Sequence, residues 1–346
     1  MLNIPARIYN AISKPIIFNV KGNSGLYPAS ASIVIDGEVQ GACHRQDWYR
    51  WFKYKSSESR NPEYSLSAMI GESLHTFLSN YLKNNVHTTN IVTLSVEQSL
   101  FDSNHFISGR IDLFLKDLIT NKLHGCDIKS VGDYKSGMVI EQPDTSHILQ
   151  CAVYLDQFNK SALLNGAQPV EDWIILYMSR DGGSYKLAKY PHSSPFKNMW
   201  QFSLTIVDDY VVITNQIGNS KEYKEITMTK IYESYNVLME FIKTKELPPR
   251  DYAFQYSEEH IMGLFKSGKL NKTETKLVQE WIVDKAKPNE LGMVKGDFQC
   301  KFCDYTTLCY SKNPKEGEKG KQALYNIEPQ TLVKKETTIT KFNNLL

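Results

Sequence analysis

Three short β-rich segments follow one another in the first half of the chain, and their order limits the folds that the chain can adopt. They span 90–100, 105–117 and 122–131 and are separated by turn-forming residues, which predicts consecutive antiparallel strands. A predicted helix over 144–158 and a predicted strand over 172–179 come next. Because such a helix can carry the chain back over one face of the sheet, this order predicts an α/β fold. We expect a mixed central sheet flanked by helices.

Apolar residues at three- and four-residue spacing predict further helices along the chain. The pattern occurs at 41–54 and 65–83, ahead of the strands. Residues 221–246 and 256–286 are also predicted to be helical, with a break at the intervening LPPRD. Pro143 is predicted to lie in the first turn of the helix that follows it.

The charge of the chain is nearly balanced, because 40 basic side chains face 38 acidic ones and leave a formal net charge of +2. No chain-wide field therefore attracts polyanions, and any nucleic-acid site must be a local groove. The N-terminus lacks a continuous apolar segment, and no run of about eighteen apolar residues occurs. We expect no signal peptide and no membrane span, and we predict a cytoplasmic protein.

Six cysteines in a chain without an export signal favour free thiols or metal ligation over a disulfide framework. Three of them form a C-x2-C-x5-C cluster at 300–309, whereas Cys43, Cys126 and Cys151 are solitary. The cluster predicts a metal site that needs one further ligand. We expect Cys126 and Cys151 to be small buried residues of the core.

An acidic and basic constellation lies on the second and third predicted strands. Asp127 and Lys129 are two apart on one strand and so share a face, while Asp112 lies on the strand before it. Two carboxylates and an ammonium on one face can bind a divalent ion and hydrolyse a phosphodiester. On its own, an Asp-x-Lys pair is better explained as part of a solvated strand face.

The sequence motifs around these residues resemble those of a known nuclease family. They are GRID at 109–112, D-I-K at 127–129 and the P-x3-H-x2-Q-x3-Y pattern of 143–154. Together they resemble the RecB and Cas4 branch of the PD-(D/E)XK nucleases. This resemblance implies a restriction-endonuclease-like fold. No G-x4-G-K-[ST] motif occurs, so the chain is not a complete helicase–nuclease.

The resemblance implies a role for each matched side chain. Gln150 and Tyr154, four apart on one helical face, would contact the DNA backbone or position the lysine and the bound water. His75 would be a further metal ligand, although on its own it is better explained as a satisfied histidine of an apolar helix. Glu97 is a secondary acidic candidate. The implied catalytic residues are Asp112, Asp127, Lys129, Gln150 and Tyr154, and the implied Mg²⁺ or Mn²⁺ ligands are His75, Asp112 and Asp127.

The cysteine pattern carries a second resemblance. GACHRQDWYR resembles the cysteine-containing segment that precedes the nuclease core in Cas4- and AddB-like proteins. That resemblance implies a 4Fe–4S cluster that joins the N- and C-terminal segments through Cys43, Cys300, Cys303 and Cys309. Zinc is the alternative, because it accepts four thiolates as readily as iron does. In either case the metal would contribute its binding free energy to folding.

Basic and aromatic residues alternate between the first cysteine and the histidine helix. Such a pattern suits the binding of single-stranded nucleic acid, because basic side chains neutralise the phosphates while the bases stack on aromatic rings. An amphipathic helix that buries its aromatic rings explains the same pattern. The predicted DNA contacts are Arg45, Arg50 and Lys53 with Gln150 and Tyr154, and the interleaved residues are Trp48, Tyr49, Trp51, Tyr54, Lys55 and Arg60.

The predicted function is metal-dependent exonuclease cleavage of DNA in recombination, repair or replication. The partners would be single-stranded DNA or DNA ends and proteins of that machinery. The alternative is a non-catalytic or partner-dependent, Cas4-like module that binds or processes DNA ends. The predicted parts are an N-terminal segment (1–64), the nuclease core (65–246), a helical insertion (247–297), the cysteine cluster (298–310) and a polar tail (311–346) with a composition typical of disorder.

Overall fold

A computed structural model of the chain describes residues 25–55, 62–180, 198–254, 256–284 and 296–310. The chain divides into two compact units. The first comprises 1–35, 40–42 and 60–240, and the second comprises 36–39, 43–59 and 241–346. The predicted polar tail at 311–346 lies outside the described residues.

The described strands are β1 (Ser32–Ile35), β2 (Glu38–Gly41), β3 (Ile91–Asp102), β4 (Ile107–Asp117), β5 (Leu123–Val131), β6 (Asp172–Ser179), β7 (Met199–Val207), β8 (Tyr210–Asn215) and β9 (Ser220–Thr227). The described α-helices are α1 (His44–Trp51), α2 (Pro62–Asn84), α3 (Val86–Thr89), α4 (Asp133–Val139), α5 (Thr145–Leu164), α6 (Met228–Thr244), α7 (Glu258–Lys266), α8 (Lys272–Asp284), α9 (Phe298–Lys301) and α10 (Thr306–Tyr310).

A seven-stranded sheet forms the centre of the first unit, with the strands in sequence order from β3 to β9. The pair β5 and β6 is parallel, and the other neighbouring pairs are antiparallel. The chain returns from the end of β5 to the start of β6 through α4 and α5. The predicted α/β fold with a mixed central sheet flanked by helices is thereby confirmed.

Helices cover both faces of the sheet near β4 and β5. On one face, α2 contributes Leu78 and Leu82 to a buried cluster with strand residues, among them Leu113 and Ile128. On the other face, the rings of Phe114 on β4 and Phe158 on α5 pack with centroids 4.8 Å apart. Alternate residues of β4 therefore point to different helices, as the two-residue period of a strand requires. The site described below lies between these layers.

The structure corrects three of the predicted elements. Residues 221–227 are not helical but belong to β9, and the helix α6 begins only at Met228. The predicted helix over 256–286 is two helices, α7 and α8, with their own buried cluster. Pro143 precedes α5 rather than lying in its first turn, because the side chain of Asp144 caps the helix by accepting from the Ser146 N–H.

Within the described ranges, none of the helices is both long enough and apolar enough to cross a lipid bilayer.

Candidate active site and cysteine cavity

Asp112 lies where the main-chain pairing of β4 with β5 stops. The pairing runs from Lys116 and Leu123 to Leu113 and Cys126. One position further on, Oδ2 of Asp112 accepts the backbone N–H of Ile128 at 2.8 Å. The carboxylate therefore takes the place of a ladder hydrogen bond. This contact fixes Asp112 beside the segment that carries Asp127 and Lys129.

Asp127 and Lys129 point to one face of β5 and form a close ion pair. Lys129 Nζ lies 2.7 Å from Oδ2 of Asp127, whose side chain is 3% exposed. That oxygen is buried, and the ammonium is the partner that offsets its charge. The structure thus brings together the three residues that the sequence placed on two strands.

A chain of hydrogen bonds holds the Lys129 ammonium from the opposite side. Lys129 Nζ donates to Oε1 of Gln150 at 2.8 Å, and Nε2 of Gln150 donates to the Tyr154 hydroxyl at 3.3 Å. The hydroxyl in turn donates to the main-chain oxygen of Arg110 at 2.9 Å. Because Tyr154 is only 4% exposed, its place is inside this network rather than on a DNA-facing surface.

His75 and Glu97 complete a set of oxygen and nitrogen donors around Asp112. His75 Nδ1 lies 3.5 Å from Oδ2 of Asp112, and one donor atom each of His75, Glu97 and Asp112 lie within 4.8 Å of one another. Asp127, which the sequence named as a ligand, does not belong to this mutually close set. Glu97, only a secondary candidate in the sequence, does.

Glu97 owes its position to a distorted stretch of β3. The flanking pairs, Val96 with Leu113 and Gln98 with Ile111, place Glu97 opposite Asp112. Its φ of 53° lies in the left-handed region, which is unusual for a side chain in a strand. Sequence periodicity gives no signal for such a distortion, so Glu97 could not be raised above a solvated strand residue.

Gly71 allows α2 to approach β5 closely enough for His75 to reach the site. A Cβ added at Gly71 would lie 2.7 Å from Oγ of Ser130 on β5, so a larger residue needs a shift there. His75 follows Gly71 by four residues and thus lies one turn further along the same helical face. The glycine therefore supports the contact between His75 and Asp112.

The electrostatics of the site follow from burial and from its crowded acidic groups. Burial and the neighbouring Asp127 raise the pKa of Asp112 to about 7. Burial alone would lower the pKa of Lys129, but the attraction of Asp127 and Asp112 outweighs it and the pKa is raised. Burial also lowers the pKa of His75, which favours the neutral imidazole that ligates metals.

His147 belongs to the helical motif but not to the donor set. Its Nδ1 lies within hydrogen-bond distance of the Tyr177 hydroxyl, at 2.8 Å. Burial and the nearby Lys129 lower the pKa of His147 to about 3. The neutral ring thus anchors the start of α5 to β6.

The side chains of this site fit a divalent cation. Asp112 is a half-buried carboxylate with a raised pKa, the Asp127 carboxylate is buried, and burial favours the neutral form of His75. A cation would offset the repulsion between the carboxylates, and hard oxygen donors suit Mg²⁺ or Mn²⁺. His75, Glu97 and Asp112 lie close enough together to hold such an ion, and Asp127 is a further candidate ligand.

In the second unit, four cysteines line one cavity. Cys43 immediately precedes α1, Cys300 lies in α9, and Cys309 lies in α10, with Cys303 between the two short helices. All four border the same cavity, and none forms a disulfide. Burial raises the pKa of Cys43, Cys300 and Cys303, so these thiols stay protonated unless a cation stabilises the thiolates.

Hydrogen-bond donors point at two of these sulfurs, those of Cys303 and Cys309. The Tyr310 hydroxyl donates to the Tyr252 oxygen at 2.6 Å, so in its 3.8 Å contact with Cys300 the thiol is the donor. The Tyr305 N–H donates to Cys303 Sγ at 3.4 Å, and Arg45 Nη1 donates to Cys309 Sγ at 3.8 Å. Such contacts stabilise sulfur that carries negative charge. The other two cysteines, Cys126 and Cys151, are buried, as predicted.

The basic and aromatic segment contains both buried and exposed side chains. Trp48 and Tyr49 are buried, so their rings are not available to stack on bases. Arg45 Nε donates to the Pro248 oxygen at 2.7 Å, which directs this predicted DNA contact toward the cysteine cavity. Arg50 pairs with the buried Asp47 at 3.1 Å. The exposed residues of the segment are Arg50, Lys53, Tyr54 and Lys55. Trp51 is half-buried, and Arg60 lies outside the described residues.

Comparisons with known proteins give no family. No protein-family description matches the chain, and no curated protein does either. A solved structure titled "Crystal structure of SSO0001" is 17% identical, covers 71% of this chain and 88% of its own, and superposes with a TM-score of 0.37.

Proposed function

We propose that this chain is a metal-dependent DNA nuclease of the PD-(D/E)XK type. The observation that carries the proposal is the convergence of Asp112, Asp127 and Lys129 where β4 and β5 stop pairing. Burial and the neighbouring carboxylate of Asp127 raise the pKa of Asp112 to about 7. Such crowding is costly in the absence of a cation and is typical of functional sites.

In this proposal His75, Glu97 and Asp112 would hold Mg²⁺ or Mn²⁺, with Asp127 as a further candidate ligand. An ion bound there would polarise the scissile phosphate and lower the pKa of the attacking water. Lys129 stays charged, because Asp127 and Asp112 raise its pKa. Its ammonium orients the water or stabilises the charge that develops on the phosphate.

Gln150 and Tyr154 are positioning residues in this mechanism. Gln150 accepts from Lys129 and is itself fixed by the Tyr154 hydroxyl, which is tied to β4 through the Arg110 oxygen. The ammonium is thereby held between Asp127 and Gln150. Preorganised cations of this kind act without reorganising during the reaction.

The test is a digestion panel with end-labelled single- and double-stranded DNA and Mg²⁺ or Mn²⁺. Asp127→Ala and Lys129→Ala should each reduce cleavage by at least about 100-fold, the usual scale for loss of such a group. Lys122→Ala is the matched control, since Lys122 directly precedes β5 and pairs with Glu171 at the surface. Undiminished cleavage by both site variants, each folded as the wild type, would contradict the proposal. End-labelled products also report polarity and exonuclease action.

We further propose that Cys43, Cys300, Cys303 and Cys309 hold a 4Fe–4S cluster. Zinc draws its thiolates to about 2.3 Å from one point, which puts the sulfurs within about 4 Å of one another. Among the described residues, no three of these sulfurs lie within 4.8 Å of one another, and together they border a cavity. This arrangement supports a cluster over a single zinc ion.

Anaerobic purification tests the cluster. The protein should be brown, absorb broadly at about 400 nm and contain iron and acid-labile sulfide. Colourless protein that carries stoichiometric zinc would refute the iron–sulfur assignment and leave the nuclease proposal standing.

A further inference from the structure

Arg110 is a charged side chain of the candidate site to which the nuclease motifs give no role. Its Nε lies 2.6 Å from Oε2 of Glu97, and 71% of its side chain is exposed. Glu97 is also one of the three mutually close donors, together with His75 and Asp112. The Glu97 carboxylate therefore lies next to both Arg110 and the candidate ion position.

The backbone of Arg110 is fixed by a hydrogen bond, whereas its side chain lies mostly in solvent. Its main-chain oxygen accepts from the Tyr154 hydroxyl at 2.9 Å, and Tyr154 is buried. The guanidinium, in contrast, is mostly exposed and contacts Glu97, itself 42% exposed. Because Arg110 and Asp112 are two apart on β4, both side chains leave the strand on the same face.

We infer that Arg110 binds a backbone phosphate of the nucleic-acid substrate and that Glu97 holds it back until Glu97 ligates a divalent ion. This inference rests on the proposed nuclease function and adds a substrate contact and an order of binding to it. The planar guanidinium of arginine suits bidentate binding of phosphate.

The charge balance of the site supports this order. When all three carboxylates are ionised, Glu97, Asp112 and Asp127 supply three negative charges, against one positive charge each from Lys129 and Arg110. The empty site is therefore net negative by one charge and repels phosphate. With a divalent ion it becomes net positive by one, and the Glu97 carboxylate no longer retains the guanidinium as strongly.

The inference predicts effects of opposite sign on two ligands. Arg110→Gln removes the competitor for Glu97, so Mn²⁺ should bind more tightly, by up to about fivefold for an exposed ion pair. The same variant loses a phosphate contact, so a single-stranded oligonucleotide should bind about tenfold more weakly. The salt dependence of its binding should fall by about 0.7 in logarithmic slope, the value for one phosphate on a single strand.

Calorimetric titration with Mn²⁺ and fluorescence anisotropy of a labelled oligonucleotide in Ca²⁺ measure the two affinities. Lys122→Gln is the matched control, because Lys122 and Glu171 form an exposed pair of the same 2.6 Å length elsewhere on the sheet. Its Mn²⁺ and oligonucleotide affinities should equal those of the wild type. Arg110→Lys should retain the salt slope but recover only part of the oligonucleotide affinity.

Two outcomes would overturn the inference while the nuclease proposal stands. In one, Arg110→Gln binds Mn²⁺ no more tightly than the wild type; in the other, its oligonucleotide affinity is unchanged. A parallel loss of both affinities would indicate a structural role instead. If the wild type itself neither binds Mn²⁺ nor cleaves DNA, the proposed function fails, and this inference fails with it.

Discussion

At the residue scale, the Lys129 ammonium depends on its hydrogen-bond acceptor on α5. Gln150→Ala removes the 2.8 Å contact to Lys129 and frees the Tyr154 hydroxyl from its donor. We expect kcat to fall about 10- to 100-fold with little change in KM, because the lysine loses its orientation rather than its charge.

Gln157→Ala is the matched control for that variant. Gln157 lies two turns along α5 and hydrogen-bonds Asp102 and Tyr232 instead of the site. Its loss should lower thermal stability and leave kcat per folded molecule intact. Equal kcat values for the two variants would contradict a positioning role for Gln150.

His147 should make the folded state sensitive to acid. Its pKa falls from the usual 6.5 to about 3 in the folded chain, mainly through burial. Between these values the unfolded chain takes up a proton that the folded chain does not, so stability is present above about pH 6.5 and declines below it. The free energy of unfolding should decrease by up to about 1.4 kcal/mol for each pH unit in this window.

Urea denaturation at a series of pH values measures this dependence. His147→Asn cannot titrate, so its unfolding free energy should vary less with pH than that of the wild type. The same pH slope in both proteins would show that another group is responsible.

The sequence predicts some residues of the candidate site but not others. Asp112, Asp127 and Lys129 were predictable because strand periodicity and the order of two neighbouring strands determine which side chains meet. Glu97 was not, since its place beside Asp112 depends on a backbone distortion with φ of 53°. Arg45 could not be directed to the cysteine cavity either, because a basic residue near aromatics is equally compatible with a DNA surface.

At the element scale, the strands that the sequence did not predict have a weak strand pattern or a pattern that also fits a helix. In β9, the sequence SKEYKEIT buries only Tyr223 and Ile226, and most other positions are exposed. Charged residues suit a strand at the edge of a sheet, where they discourage pairing with other chains. The same Lys and Glu residues favour helices, so β9 merged with α6 in the sequence pattern.

The packing of α2 on β5 can be tested at Gly71. Gly71→Ala should destabilise the chain or displace His75, because its Cβ would lie 2.7 Å from Oγ of Ser130. Ser130→Ala removes that oxygen and leaves the Ser130 Cβ at 3.8 Å, an ordinary contact. The double variant should therefore be more stable than Ser130→Ala alone by about 1 kcal/mol, the helix-propensity gain of alanine over glycine.

Chemical denaturation of the wild type, both single variants and the double variant measures the four free energies of unfolding of a double-mutant cycle. Strong coupling between the two positions is expected, since they share one contact. Additive effects would show that the close approach of α2 to β5 does not depend on Gly71.

At the scale of the whole molecule, each of the two units carries its own candidate site. The proposed nuclease residues belong to the first unit and the four cavity cysteines to the second. Cys43 and Cys309 are separated by most of the chain, so a cluster that ligates both would close a long loop. Its binding free energy would then contribute to folding of the second unit.

Loss of one cavity cysteine should therefore lower the iron content and the stability of the second unit before it lowers any activity of the first unit. Cys43→Ser should lower the iron content and the melting temperature, and limited proteolysis should cut first within the second unit. Cys151→Ala is the control, because Cys151 is fully buried in the first unit and does not border the cavity. It should retain all of its iron. Full iron content in Cys43→Ser would remove Cys43 from the ligand set, and equal iron loss in both variants would indicate misfolding rather than ligation.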